Sequence, residues 1–203
     1  MAITYPRPLP TVTGIANITL RAVNQTAMTM SPFTYKQQII SHGGQRWEAT
    51  VNLPPMNRNT AAAWKAALVS LKGSYGTMLL GDPDYPLPRG TLRSTDASNF
   101  ATVSATAGNS FLQITMQDQT KTLLAGDYIQ VGSDSAARLF QVLEDRTGDG
   151  QLEVFPNVRV DYSSETIGTN NTKGVFRLAS NITSWSIDNA SFYGISFDVV
   201  EAV

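Results

Sequence analysis

The chain reads as mainly β: a β-sandwich-like core domain carrying one packing α-helix, with a small β-barrel or β-sandwich domain inserted into it. Three observations lead there. Period-two alternation of apolar and polar residues recurs along the sequence, whereas helical periodicity occurs once. The stretch GDPDYPLPRG at residues 81–90 interrupts regular structure with three prolines and two glycines. Residues 184–203, SWSIDNASFYGISFDVVEAV, form an apolar run that needs a sheet to pack against.

In chain order, the first clear element is the strand Arg46 to Leu53. Trp47, Ala49, Val51 and Leu53 alternate with Arg46, Glu48, Thr50 and Asn52, which gives one buried and one polar face. Gly43-Gly44 reads as the turn feeding this strand. Pro54-Pro55 ends it, because proline brings no N–H to a ladder. The segment NRNTAAAWKAALVSLKG then predicts a helix over about 60–72, with Asn59 or Thr60 as N-cap and Gly73 as the residue past its end. Trp64, Leu68 and Leu71 fall on one stripe at spacings of four and three, so this is a helix that lies on a sheet. Thr77 to Leu80 reads as a short buried strand.

Beyond the Pro/Gly stretch come short β runs, Phe111–Met116, Tyr128–Val131, Arg138–Leu143 and Gln151–Phe155, separated by Gly, Asp, Asn and Ser. Their spacing predicts a small barrel or sandwich. At the far end Trp185 and Ile187 precede a turn, and Ile195, Phe197 and Val199 line one face of a strand whose expected partner is the sheet of the first ninety residues. The expected division is therefore 1–90 as the first part of the core, 91–174 as the inserted outer domain, and 175–203 as the strands completing the core. The chain should leave the core near Arg89-Gly90 and return near Gly174-Val175, at points that lie close together.

Composition narrows the function classes. A hydrophobic fraction of 42% over 203 residues supplies a real core. Fifteen Lys and Arg against sixteen Asp and Glu leave a net charge of -1, without the basic excess of a nucleic-acid-binding surface. Residues 2–14 lack an apolar signal-like core, and no segment approaches the roughly 18 apolar residues that span a bilayer, so neither export by a classical signal nor membrane embedding is expected. With no cysteine there is no disulfide, thiolate nucleophile or Cys-based zinc site.

Four groups of residues are candidates for chemistry. His42, the only histidine, is the natural general acid or base, but no nucleophile-elbow motif accompanies it, and a turn or interface role is the better reading. Asp82 and Asp84 form a carboxylate pair, yet aspartates beside proline are common turn formers. Asp145, Thr147, Asp149 and Gly150 imitate the start of a calcium loop. Pro156 stands where the bidentate glutamate belongs, so a Gly/Asp-rich hairpin turn fits better. Trp64, Trp185, Phe192 and Tyr193 could stack on sugars or bases, but each lies in a pattern that a core explains. No catalytic, cofactor-binding or metal-binding residue is assigned, and no enzymatic activity or cofactor is expected.

Three runs are spread along the chain from residue 31 to its last residue: SPFTYKQQIISHGGQRWEATVNLPPMNRNTAAAWKAALVSLKGSYGTMLLGDP, LLAGDYIQVGSDSAARLFQVLEDRTGDGQLEVFPNVR and GVFRLASNITSWSIDNASFYGISFDVVEAV. They resemble tail proteins of siphophages and related prophages, and within that group are most similar to distal tail proteins. The WEATVNLPPM segment leading into the Trp64 helix is the most distinctive part of the resemblance. It implies a structural protein of the virion tail, assembled in the host bacterial cytoplasm. Such proteins form a homo-oligomeric ring of six that joins the tail tube protein to the baseplate hub, leaves a channel through which DNA passes without specific binding, and presents outer domains to other tail-tip proteins. No catalytic residues come with the family. The competing readings are a carbohydrate- or receptor-binding β module in the middle region and, more distantly, a tail-associated hydrolase using Asp82 or Asp84.

Overall fold

The structure, a computed structural model, describes residues 3–94 and 100–202. It is mainly β, with one α-helix, an open five-stranded sheet and a closed six-stranded barrel.

The sheet begins with a hairpin much longer than the Arg46–Leu53 alternation predicts. Strand β1 (Asn17–Met30) pairs antiparallel with β2 (Gln37–Asn52), and the turn between them is closed by the Ser31 N–H on the Lys36 carbonyl at 3.0 Å. In the half of β2 nearest the core the predicted register holds: Trp47, Ala49, Val51 and Leu53 are all buried. The Gly43-Gly44 turn does not exist as such. Pairing jumps from Ser41 opposite Thr26 to Gln45 opposite Asn24, so His42, Gly43 and Gly44 bulge out against Gln25 alone. Gly43 takes φ +68 there, a left-handed conformation that its missing Cβ makes accessible.

Helix α1 (Arg58–Ser70) starts earlier than expected. Asn57, rather than Asn59 or Thr60, is the N-cap, its side-chain oxygen accepting the Thr60 N–H at 3.0 Å. At the other end Lys72 already adopts φ 54, one residue before Gly73, which follows at φ 68. The stripe of Trp64, Leu68 and Leu71 is fully buried, and Trp64 stacks 6.3 Å from Phe197. Strand β3 (Met78–Leu80) then forms one edge of the sheet.

The barrel is assembled from β4 (Ala101–Ala105), β5 (Phe111–Met116), β7 (Tyr128–Val131), β8 (Arg138–Val142), β10 (Gly150–Phe155) and β11 (Tyr162–Gly168), with the small pair β6 (Thr122–Leu123) and β9 (Arg146–Thr147) beside it. Closure removes free edges. Its interior is filled by Val103, Leu112, Ile114, Ile129, Phe140, Leu152 and other alternating residues, so it encloses a packed core.

From the barrel the chain returns as β12 (Gly174–Leu178), passes the short hairpin β13 (Ser186–Ile187) and β14 (Tyr193–Gly194), and ends in β15 (Ser196–Glu201). The sheet order is β1-β2-β15-β12-β3. Phe197 and Val199 lie opposite Val51 and Ala49 of β2, so the apolar terminal strand packs where its sequence demands a partner. Gly174 pairs with Leu80, which puts the point where the chain leaves the sheet next to the point where it comes back. Residues 81–90, placed before the expected exit at Arg89-Gly90, already bond to the barrel side. Asp127 of the β6–β7 connection takes N–H groups from Arg89 and Gly90.

Candidate functional site

The bulge places His42 in a cavity of about 410 Å³ between the hairpin and the barrel, lined also by Arg46, Asn157 and Arg159. The two guanidinium groups are engaged elsewhere. Arg46 donates Nε and Nη2 to Glu48 Oε1 at 3.0 and 2.7 Å. Arg159 holds Glu201 through an Nη1–Oε1 contact of 2.9 Å and also donates to the Gln45 carbonyl. No carboxylate lines the cavity with His42. The geometry therefore has neither an orienting acid nor a nucleophile for a triad, and it works as a joint: Glu201, buried on the last sheet strand, also accepts the Trp47 N–H at 3.0 Å.

Trp47 is the centre of that joint. Its indole N–H donates to the Leu139 carbonyl at 3.1 Å, and its ring meets Phe155 edge-on at 4.9 Å and Tyr128 at 6.0 Å. Beside Arg159 and Glu201, the hydroxyl of Tyr162 is buried without a partner, and burial pushes its pKa up.

Asp82 and Asp84 do not converge as a catalytic pair. Asp82 Oδ1 accepts the Asp84 N–H at 3.0 Å, the local turn that the Asp-Pro-Asp sequence favours. The working carboxylate of this stretch is one that sequence reasoning missed. Asp127 is wholly buried and accepts the Tyr85 hydroxyl at 2.6 Å together with the N–H groups of Arg89, Gly90 and Leu124. Burial first, then the bond to this carboxylate, pushes the Tyr85 hydroxyl up to about 12. Gly90 is required here, since a Cβ would stand 2.2 Å from the Thr122 carbonyl oxygen. The one sequence cue to Asp127 is Gly126-Asp127 ahead of an apolar strand.

The calcium-like stretch is a set of turns. Asp145 accepts the Ala125 N–H at 2.7 Å, and Asp149 accepts from Gln119 Nε2 and the Met116 N–H, both at 2.7 Å. Those two bonds, the Gln119 one foremost, hold the Asp149 carboxyl below its ordinary pKa. Among the described residues no group of three or more His, Cys, Asp or Glu side chains is arranged to hold a metal.

The four aromatic candidates divide. Trp64 and Tyr193 are core residues, as expected. Trp185 and Phe192 are exposed on the β13–β14 hairpin, against the core reading, because that two-stranded piece stands outside the five-stranded sheet. The Lys65 ammonium sits 4.7 Å from the Tyr193 ring centroid and 5.3 Å from that of Trp185.

The most exposed apolar surface lies on the outer half of the β1–β2 hairpin. Met28 opposes Ile39 across the strands, and both are 62% exposed. At the tip Phe33 is 92% and Tyr35 72% exposed. Single exposed hydrophobics are ordinary, but a cluster on a projecting two-stranded ribbon marks an interaction surface. No family model and no curated protein matches this chain.

Proposed function

We propose that the chain is a structural subunit of a bacteriophage tail tip: a distal tail protein that assembles into a ring, joins the tail tube to the baseplate hub and leaves a channel for DNA. The observation that carries the proposal is the outer half of the hairpin. Strand β2 has β15 beside it only from Glu48 to Asn52, so residues 37–41 run on with β1 as their only strand partner. Between Ala22 and Gln45 the only charged residue is Lys36, whereas a protein that works alone blunts such an edge with charges, proline or a cover. An obligate assembly leaves the edge for a neighbouring subunit to cover. The resemblance of three long runs to distal tail proteins supplies the kind of assembly, a homo-oligomer of about six contacting tube, hub and other tail-tip proteins. A net charge of -1 suits a channel through which duplex DNA slides without being held.

On this reading the protein resides in the virion tail after assembly in the host bacterial cytoplasm, and it performs no catalysis. Purification of the full chain followed by sedimentation and electron microscopy tests the proposal. A closed ring of mass near six times 22.0 kDa is expected. A monomer at all concentrations, together with tail tips lacking the chain, refutes it.

A further inference from the structure

The hairpin tip has a complement elsewhere on the same molecule. Beyond the start of β1, the segment running from Arg7 to Ala16 forms one wall of a groove of about 500 Å³, with Leu9, Pro10, Ile15 and Leu79 among its apolar lining and Trp64 beneath. The wall is fixed in place by three bonds: Arg7 N–H to the Thr77 carbonyl at 2.8 Å, Ala16 N–H to the Asn52 carbonyl at 3.0 Å, and the Trp64 indole to Thr13 Oγ1 at 3.0 Å. A second depression continues it past Ile15, Asp82 and Pro83 to Asp84. The groove is therefore apolar along its floor and carries Asp82 and Asp84 against one ammonium, Lys173, at its rim. The tip offers the matching pattern: Phe33 and Tyr35 exposed, with Lys36 as the single charge of the arm.

The two features cannot meet within one molecule. Thirteen steps of about 3.3 Å along β1 place Met30, at the tip, roughly 40 Å from Asn17, beside which the groove opens. The bulge at His42–Gly44 does not reverse the arm, because pairing resumes antiparallel on both sides of it. A tip and a groove at opposite ends of one strand make a head-to-tail contact, the type that closes into a ring or extends as a filament.

We propose that the occupant of this groove is the β1–β2 hairpin tip of a second copy of the chain, with Phe33 and Tyr35 seated against Leu9, Pro10 and Ile15 and Lys36 facing Asp82 and Asp84. The inference deepens the tail-ring reading and rests on it for the closed geometry, but not for the contact itself.

The chain has no cysteine, so disulfide trapping reads the contact directly. Full-length Thr34→Cys, at the tip, is mixed with full-length Thr11→Cys, at the groove, and oxidised under mild conditions. Both positions are exposed. A disulfide-linked heterodimer is expected, and it should be lost when the tip also carries Phe33→Ser and Tyr35→Ser. Lys36→Asp on the tip partner should reduce its yield, and Asp82→Lys on the groove partner should restore it. Thr34→Cys mixed with Ser163→Cys, exposed on the barrel, is the control and should give little product.

Equal yield with the control, or Thr34→Cys linking to itself as efficiently as to Thr11→Cys, overturns the proposal. So does cosedimentation with phosphatidylcholine vesicles that depends on Phe33 while no tip-to-groove link forms, which would assign the arm to a lipid surface. Micrographs separate this inference from the reading above it. Closed rings without the tip-to-groove link overturn the contact and leave the tail reading standing. Linked open filaments without closed rings keep the contact and remove the ring.

Discussion

The inner and outer halves of the β1–β2 hairpin are one pair of strands with two different fates. In the inner half, Ile18 and Leu20 face Val51 and Ala49, and that face lies under helix α1 and the barrel, where Trp47 is 3% exposed. In the outer half, Met28 and Met30 face Ile39 and Gln37, beyond the end of β15, and the methionines and Ile39 stand in solvent. Both halves place apolar side chains opposite one another, Leu20 with Ala49 in the inner and Met28 with Ile39 in the outer. What differs is a cover, and a cover is worth about 25 cal/mol for each Å² of apolar surface it removes from water. A period-two pattern therefore states which residues share a face and says nothing of what lies on that face.

The comparison is sharpened most by Trp47→Ala. It removes the ring packed on Phe155 and the indole bond to Leu139, and should cost about 3–5 kcal/mol in a denaturant titration of the full chain. A near-neutral value would mean that the inner half is no more covered than the outer. Next comes Arg159→Met, which leaves Glu201 buried and short of its partner. A loss of about 3 kcal/mol is expected, at the low end for a broken buried pair because Arg159 is partly exposed and the Trp47 N–H still bonds the carboxylate.

Alkaline pH probes the same cover through its tyrosines. Tyr128 lies against Trp47, Tyr85 meets Tyr128 edge-on at 5.5 Å, and burial raises the pKa of both, Tyr85 to about 12. A folded-state pKa above the unfolded value near 10 means that this stability is complete below pH 10 and is lost as pH rises from 10 through about 12. Thermal melting across that window should show the fall, and Tyr85→Phe should make it shallower; an unchanged slope would remove Tyr85 from the account.

Smaller effects are expected farther out. Asn57→Ala removes the cap of the helix that covers the inner half and should cost about 1 kcal/mol in the same titration. Met28→Thr with Ile39→Thr, in the uncovered half, should change subunit stability by no more than about 0.5 kcal/mol. If that pair instead destabilises the isolated subunit as Trp47→Ala does, the outer half is packed against its own chain and the contrast between the halves fails.

The candidate chemistry shows the same division between local pattern and distant partner. Asp82 sits in a turn that its neighbours in sequence already specify, and it forms the bond expected of an aspartate before proline. Asp127 becomes a buried clamp only because Tyr85, Arg89 and Gly90 arrive from about forty residues earlier in the chain. His42-Gly43-Gly44 has the composition of a turn, and a bulge uses the same left-handed glycine, so composition alone does not separate the two. The alternation of Ile18, Leu20 and Ala22 was available as a sign of β1, and it fades into Asn, Gln and Thr before the arm begins.

By itself the sequence determined the properties that act over a few residues: the buried face of Trp47 to Leu53, the Trp64 stripe of the helix, the breaks at proline and glycine, and the mainly β class. Side-chain alternation, capping and proline's missing N–H are local, and they leave their mark in adjacent letters. Tertiary structure alone decided that Trp47 bonds Leu139, that Arg159 of the barrel side pairs with Glu201, that six strands close into a barrel, and that the hairpin outruns its sheet. Those outcomes depend on which surfaces meet after the chain has folded back on itself, and residues with the same local pattern are buried or left in water according to whether a partner arrives.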